Sequence, residues 1–184
     1  MARLIYGMMQ SLDGYVAGPP DGPQLPPPGE ALHRVFNQQM RHVTGLLYGR
    51  RMYEMMRYWD QDQSTAPEVA RDFALWWRKK TKWVVSRGLP KLGYNASLIS
   101  GPLQRAVEVL KAELPGEIEV AGPELAASLS ALGLIDEYHF YLVPVVLGGG
   151  KPFLMGSVVP PLRAAGAEEL PDGVMKLRYV KAVS

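Results

Sequence analysis

IEVAGPELAASLSALGLIDEYHFYLVPVVLGGGKPFL, residues 118–154, places a short buried strand, a helix and a second strand one after another. Residues 118–121 are mostly apolar and run into Gly122-Pro123. Residues 123–133 then carry leucines at helical spacing until Gly133, which is typical of a helix end. Residues 137–147 form a long apolar run that predicts a strand. This β-α-β order indicates an α/β domain.

The rest of the chain repeats this alternation. Apolar or alternating patterns predict further strands at 3–9, 45–48, 82–86, 96–100 and 174–182, and helical periodicity predicts helices at 30–42, 50–57, 68–80 and 102–114. Residues 19–29 are rich in proline and are predicted to be a loop, as are 60–67 and the long segment 148–173. The pattern therefore predicts a mostly parallel sheet flanked by helices, with antiparallel strands toward its C-terminal end.

Length and composition limit the function. The chain has 184 residues, 47% of them hydrophobic, which predicts one domain over 1–184. A formal charge of +2, with scattered basic residues, argues against binding to nucleic acid or a membrane surface. No cysteine occurs, so thiolate metal sites and cysteine nucleophiles are excluded. Without a targeting pattern or a long apolar run, we expect a cytoplasmic protein.

Two strand-to-helix junctions are candidate ligand sites. In an α/β sheet, ligands bind where strands end and helices begin, and backbone N–H groups at a helix start attract phosphate. The first junction is Gly49-Arg50-Arg51, and the second spans Ala121, Gly122, Pro123, Glu124 and Leu125. Glycine and proline also occur in such turns without any ligand, so a purely structural role remains open for both.

Gly148, Gly149 and Gly150, which precede Lys151, do not form a known phosphate motif. The Walker loop requires GxxxxGK followed by Ser or Thr, and a dinucleotide fingerprint requires GxGxxG at the start of a helix. We interpret the triplet as a bend after the long strand, or as a backbone edge of a ligand pocket. The three histidines lack metal-ligand spacing, and no serine, histidine and aspartate are paired by the sequence, so neither a metal site nor a hydrolase triad is predicted.

Four blocks together resemble one family. SLDGYVAG (11–18), LLYGRRMYE (46–54), VVSRGL (84–89) and the block from residue 120 to 154 resemble, in order and spacing, the reductase domain of the RibD C-terminal type, a branch of the dihydrofolate reductase-like family. The resemblance covers nearly the whole chain and is closest to stand-alone members. It implies a mixed sheet of about eight strands flanked by helices, NADPH as cofactor, a pterin- or pyrimidine-like small-molecule substrate, and a homodimer.

The resemblance also implies roles for individual residues. Gly49, Arg50 and Arg51 would meet the cofactor phosphates, and Ser86 with Arg87 would bind the 2′-phosphate that distinguishes NADPH from NADH. Residues 121–125 would lie against the pyrophosphate, with Gly122 in the closest approach. Two positions depart from the family pattern: Met52 replaces a usual threonine, and Ala121 replaces the first of two glycines.

Asp13 is the predicted catalytic residue. It follows the first strand, where its carboxylate could bind an amino-pyrimidine edge or help to deliver the proton that accompanies hydride transfer. Asp13-Gly14 is also favourable turn chemistry, which leaves a structural role open. Trp76, Trp77 and the methionines at 52, 55 and 56 are expected to be packing residues in the core or at a dimer interface. Trp59 is expected to pack, or to wall the substrate pocket.

Two alternatives to a reductase of this type stay open. The departures at Met52 and Ala121 are compatible with a non-catalytic, ligand-binding or dimeric scaffold of the same fold. A true dihydrofolate reductase is less consistent with the sequence, because the loop after SLDG lacks the Pro-Trp pair and the acidic residue on the next helix that such enzymes present.

Overall fold

A computed structural model describes residues 1–88, 91–156 and 159–182. The helices are α1 (Glu30–His42), α2 (Arg50–Met56), α3 (Glu68–Lys79), α4 (Leu103–Glu113) and α5 (Pro123–Ala131). The strands are β1 (Arg3–Ser11), β2 (Tyr15–Ala17), β3 (Gly45–Gly49), β4 (Thr81–Val85), β5 (Ala96–Ile99), β6 (Glu117–Ala121), β7 (Glu137–Val143), β8 (Lys151–Pro152), β9 (Leu162–Glu169) and β10 (Met175–Lys181).

One eight-stranded sheet forms the centre of the molecule. Its strand order is β5-β4-β3-β6-β1-β7-β10-β9. The strands from β5 to β7 in this order run parallel, whereas β10 is antiparallel to both β7 and β9. The predicted α/β architecture, with about eight strands and antiparallel pairing near its C-terminal end, is therefore confirmed.

Alternate residues of the strands pack into hydrophobic clusters on opposite faces of the sheet. Leu4, Tyr6 and Leu47 point to one face, where they pack with α4 and α5 residues such as Val107 and Leu129. On the other face, Leu46 and Tyr48 pack against Met40 of α1 and Phe73 and Trp77 of α3. Helix α1 presents Leu32, Phe36 and Met40 at four-residue spacing, and its ends carry Glu30 and Arg41, as the helix dipole favours.

The C-terminal third differs from the prediction in two places. Strand β7 ends at Val143 and not at residue 147, because Pro144 has no N–H to continue the ladder. The segment 148–173, predicted to be a loop, contains β8 and the eight-residue strand β9. The composition of β9, LRAAGAEE, has no β-branched or aromatic residue, so only its pairing with β10 makes it a strand.

A small two-stranded sheet lies beside the main one and was absent from the prediction. Strand β2 pairs with β8, so the segment after Asp13 is joined to the segment after the glycine triplet. Gly150, at φ 120°, lies so close to this sheet that a Cβ there would come within 2.1 Å of the Ala17 carbonyl oxygen. The bend predicted for the triplet is present. Within the described residues, no helix is both long enough and apolar enough to span a membrane.

Candidate functional site

The predicted junctions meet at one edge of the sheet. Strands β4, β3 and β6 are neighbours and parallel, so their carboxyl ends lie side by side at spacings of about 4.8 Å. Gly49 is paired with Val85, and Tyr48 is paired with Ala121. Ser86, Gly49 and Gly122 therefore follow one another along this edge. Sequence positions more than 30 residues apart thus form one surface, which we call the strand-end site.

Gly122 has the geometry of a close backbone approach. Its φ of 99° and ψ of 116° are unfavourable for other residues, and a Cβ there would lie 3.2 Å from the Met52 Cβ. The Gly122 N–H points to the Met8 sulfur at 3.3 Å. Helix α5 begins at the next residue, with Pro123 in its first turn. Ala121 and Leu125 are both buried, so they shape this corner through packing.

Three charged side chains link α2, α5 and the glycine-rich bend. Glu124 accepts a hydrogen bond from the Arg51 guanidinium at 2.9 Å and another from the Lys151 ammonium at 2.8 Å. The bond from Lys151 is the main cause that lowers the pKa of Glu124, so this carboxylate is ionised near neutral pH. Arg50, the first residue of α2, is half exposed and lies 3.9 Å from Glu54. Arg51 and Lys151 thus lie at the strand-end site with the Glu124 carboxylate between them.

Ser86 and Arg87 lie at the β4 end of the same edge. They line a surface pocket of about 630 Å³ with residues from β5 and the start of α4, including Ser100 and Gly101. The Ser86 hydroxyl oxygen accepts a bond from the Gly88 N–H at 3.2 Å, which leaves its own hydrogen available to a ligand. Arg87 is exposed, and no carboxylate among the described residues pairs with it.

A cavity of about 450 Å³ opens beside Gly122, between the sheet and α1. Met8, Met52 and Ala121 line it, and the first two of these also contact the Gly122 backbone or the space above it. Trp59, His33 and Phe73 stack at one end, with ring centroids 4.6 to 5.8 Å apart. Leu25, Pro26 and Pro28 of the proline-rich loop line another side. The strand-end site and the cavity are therefore contiguous.

The sheet side of the cavity carries charged groups that were absent from the sequence prediction. Glu119 of β6, His139 of β7 and Lys176 of β10 all project from this face. His139 is paired with Glu137 at 2.8 Å, and burial lowers its pKa below the usual histidine value. Burial raises the pKa of Glu119 to about 7, although the charge of Lys176 opposes the shift. Their sequence signal is a polar residue at an inward-facing position of an otherwise apolar strand.

Asp13 lies outside this cavity. Its two carboxylate oxygens accept the Leu147 N–H at 3.1 Å and the Gly148 N–H at 2.7 Å, so it holds the bend before β8. A hydrogen bond with Ser11 is the main cause that lowers its pKa. The Asp13 side chain is exposed, two residues before the first residue of β2. These contacts account for a structural role, and its catalytic role stays a prediction.

The aromatic and methionine residues divide between core and cavity. Trp77 is fully buried and packs on Tyr48 and Tyr53, as predicted. Trp76 is partly buried beneath the cations of Arg41, Lys79 and Lys80, at 5.4 to 5.7 Å. Met52 and Met56 line the cavity, whereas Met55 is 62% exposed and belongs to no core. Trp59 both packs on Phe73 and walls the cavity, which unites the two expected roles.

Comparisons with known proteins match this chain to one family over most of its length. The family model described as the RibD C-terminal domain matches residues 2–176. The uncharacterized protein YyaP of Bacillus subtilis (strain 168) is 27% identical over 187 residues, which cover 96% of this chain and 94% of YyaP. A Shewanella sp. PV-4 protein ascribed to riboflavin biosynthesis has the same fold, with a TM-score of 0.73, 22% identity and full coverage of both chains.

Two further solved structures share this fold. A pyrimidine reductase-like protein from Corynebacterium diphtheriae superposes with a TM-score of 0.66 at 13% identity, over 100% of this chain and 93% of that one. Acinetobacter baumannii RibD superposes with a TM-score of 0.68 at 15% identity, and the match spans 100% of this chain but 59% of RibD. At these identities the likeness concerns the fold.

Proposed function

Since this chain belongs to the family of RibD C-terminal domains, we propose that it is an NADPH-dependent reductase of a small pterin- or pyrimidine-like heterocycle. One observation carries the proposal: the strand-end site, with its glycines and cations, is contiguous with a 450 Å³ cavity through Met8, Met52 and Ala121. A reductase of this kind requires a dinucleotide and a small ring in adjacent places, so that hydride transfer occurs across a short distance.

The residues of the strand-end site fit the cofactor. Within the described part of the chain, the Arg87 guanidinium has no carboxylate partner and the Ser86 hydroxyl hydrogen has no acceptor, and together these groups suit a phosphate monoester. Gly122 presents backbone without a side chain, and the N-terminus of α5 follows it. Arg50, Arg51 and the backbone of residues 121–125 would contact the pyrophosphate. When bound, NADPH supplies the hydride.

The protein's own part in the reaction is to position a ring and control its protons. The apolar wall of Trp59, Met52 and Met56 would hold a flat heterocycle and exclude water from the reacting face. Ionisable groups that line the cavity, Glu119 and His139 among them, would satisfy its polar edge. Asp13 remains our proposed proton carrier, from its position at the bend before β8. We further propose a cytoplasmic homodimer, in line with the family resemblance and the absence of cysteine.

A non-catalytic scaffold is the second candidate, and one contact favours it. Glu124 already engages both Arg51 and Lys151, so two of the cations near the proposed pyrophosphate position are partly neutralised. Met52 also fills the space against Gly122 where a smaller or polar side chain would leave more room. A protein of this kind would bind a nucleotide weakly or not at all and would reduce no heterocycle.

The test is a titration of the purified protein with NADPH and with NADH, followed by tryptophan fluorescence. Arg87→Ala removes the proposed 2′-phosphate ligand, and Arg163→Ala, an exposed arginine on β9, serves as the matched control. We expect NADPH to bind at least tenfold more tightly than NADH, and we expect Arg87→Ala alone to abolish this preference. Absence of binding by either dinucleotide would favour the scaffold.

A further inference from the structure

Glu119 stands out among the charged groups of the cavity because it has no partner. Among the described residues, no side chain or backbone group forms a hydrogen bond or an ion pair with its carboxyl group. The neighbouring carboxylates differ: Glu117 is paired with Arg3, and Glu137 is paired with both Arg3 and His139. A half-buried carboxyl without a partner is costly, so its retention calls for a ligand.

The immediate neighbours of Glu119 are mostly apolar. It lies on the cavity face of β6, beside Leu46 and Ile5 on the adjacent strands. Met40 of α1 and Val43, the residue after α1, line the same space. Its remaining accessible surface is directed into the cavity. A hydrogen bond formed there would be protected from water and therefore stronger than one at the surface.

Lys176 is a second unpaired group, on the far side of the same cavity. Its ammonium lies over the Tyr141 ring at 5.4 Å and makes no ion pair with any described carboxylate. Strand β10 is three strands away from β6, roughly 14 Å at about 4.8 Å per spacing, and the register places Lys176 beside Tyr141, four residues further along β7 than the position level with Glu119. The two side chains extend into this interval, where Gly7 contributes no side chain. Both groups therefore line one cavity of about 450 Å³.

We propose that Glu119 is the specificity-determining residue of the cavity, and that it selects a heterocycle by accepting hydrogen bonds from N–H groups on one edge of the ring. Lys176 complements it by donating to a carbonyl or other acceptor on a different edge of the same ring. This inference rests on the proposed reductase function, because it assigns to Glu119 and Lys176 the recognition of the ring that this site would hold.

Protonation adds a requirement. Burial raises the pKa of Glu119 to about 7, so only part of the protein has an ionised acceptor at neutral pH. The charged or titratable groups that face it come from five elements: Tyr48 of β3, Glu117 of β6, His139 and Tyr141 of β7, Lys176 of β10 and His42 of α1. Ligands that offer only N–H donors to it should bind better at pH 8 than at pH 6.

The test uses isocytosine as the probe and 1,3-dimethyluracil as its matched control, since both are small pyrimidinones and the second has no N–H group. Binding is measured by calorimetry or ligand-observed NMR at pH 6 and pH 8, for the wild type, Glu119→Gln and Glu117→Gln. The Glu117→Gln variant removes a neighbouring carboxylate that already has a partner. NADPH binding is measured on the same samples.

We expect isocytosine to bind the wild type better than dimethyluracil at pH 8, and Glu119→Gln to weaken it at least tenfold while Glu117→Gln does not. Lack of isocytosine binding by the wild type, or an equal loss in both variants, would overturn the assignment. NADPH affinity should be the same in all three proteins. If none binds NADPH, the reductase proposal fails, and the isocytosine result still decides the role of Glu119.

Discussion

Arg51 and Glu124 are joined by a hydrogen bond of 2.9 Å that ties the first turn of α2 to the first turn of α5. The two helices start at adjacent strands of the sheet, so this bond crosses the strand-end site. Because Lys151 bonds the same carboxylate, Glu124 sets how much positive charge the site offers to a phosphate.

Replacing Glu124 with glutamine should therefore strengthen cofactor binding. The variant keeps a hydrogen-bond acceptor but releases the charge of Arg51 and Lys151, so we expect NADPH affinity to rise about three- to tenfold at low salt. The gain should shrink as salt is added, which a titration at two ionic strengths measures. A loss of affinity would instead indicate that Glu124 is needed to position Arg51.

Gly122→Ala should damage both stability and cofactor binding. The new methyl group would lie 3.2 Å from the Met52 Cβ, and the alanine backbone would have to adopt a φ of 99°. We therefore expect a loss of about 2 kcal/mol in the free energy of unfolding. Gly133→Ala provides the control, because Gly133 also has positive φ but has open space around it. Its cost should be about 1 kcal/mol, from backbone strain alone, with NADPH affinity unchanged.

Denaturant titrations and NADPH binding on both glycine variants measure these effects. Met52→Ala combined with Gly122→Ala removes only the Met52 Cγ at 3.6 Å and keeps the Cβ at 3.2 Å, so the double variant should recover little of the stability. If the two single variants lose the same stability and neither affects NADPH, Gly122 has no special role in the approach of a ligand.

Glu119→Gln should stabilise the protein above neutral pH. The folded-state pKa of Glu119 is raised to about 7, above the ordinary value of 4.5, so the folded protein holds this proton more tightly than the unfolded chain does. Stability attributable to Glu119 is greatest below pH 4.5 and declines as the pH rises toward 7. The variant lacks this decline, so its advantage should grow from pH 5 and reach about 1 to 3 kcal/mol at pH 8.

Thermal unfolding of the wild type and Glu119→Gln across pH 5 to 8 provides the measurement. We expect the difference in Tm to widen by several degrees over this range. A constant difference would mean that Glu119 titrates normally. Stabilisation combined with loss of isocytosine binding would identify a residue that is retained for function at the expense of stability.

Asp13→Asn separates the two readings of Asp13. Asparagine retains one acceptor for the Leu147 and Gly148 N–H groups, so the bend should loosen while the fold persists. If Asp13 only holds the bend, amide hydrogen exchange at residues 147 and 148 rises and the pH profile of kcat stays unchanged. If Asp13 carries the proton, kcat falls at least tenfold and its pH dependence is altered.

Local sequence patterns were sufficient for most of the sheet and for the two strand-to-helix junctions at Gly49 and Gly122, whereas Ser86 was named through the family resemblance and the cofactor roles of all three stay predictions. Helix 30–42 was predicted with its observed bounds, because its apolar spacing and end charges agree. Gly49, Ser86 and Gly122 were predicted separately, and parallel neighbouring strands bring them together. Strand β9 was missed because LRAAGAEE favours no strand locally, and its conformation depends on pairing with β10.

The cavity residues could not be predicted in the same way. Glu119, His139 and Lys176 lie on three strands whose order in the sheet is not written in any single segment. In its own segment, each of the three is a polar residue in a predicted strand. Their burial and their positions around one cavity arise only after the strands have assembled. Asp13 illustrates the reverse case: its turn chemistry was clear, and its partners at Leu147 and Gly148 appear only in the fold.

The position of β1 between β6 and β7 has a consequence for synthesis on the ribosome. Arg3 lies 114 residues before its ion-pair partner Glu117. The neighbours of β1 in the main sheet are β6, which contains Glu117, and β7, and both are synthesised long after β1. The apolar sequence LIYGMM therefore has no strand partner in the main sheet until more than half of the described chain has emerged from the ribosome. Such delayed pairing slows folding and leaves an aggregation-prone segment exposed. The nascent chain should therefore depend on chaperones until β6 and β7 have been synthesised.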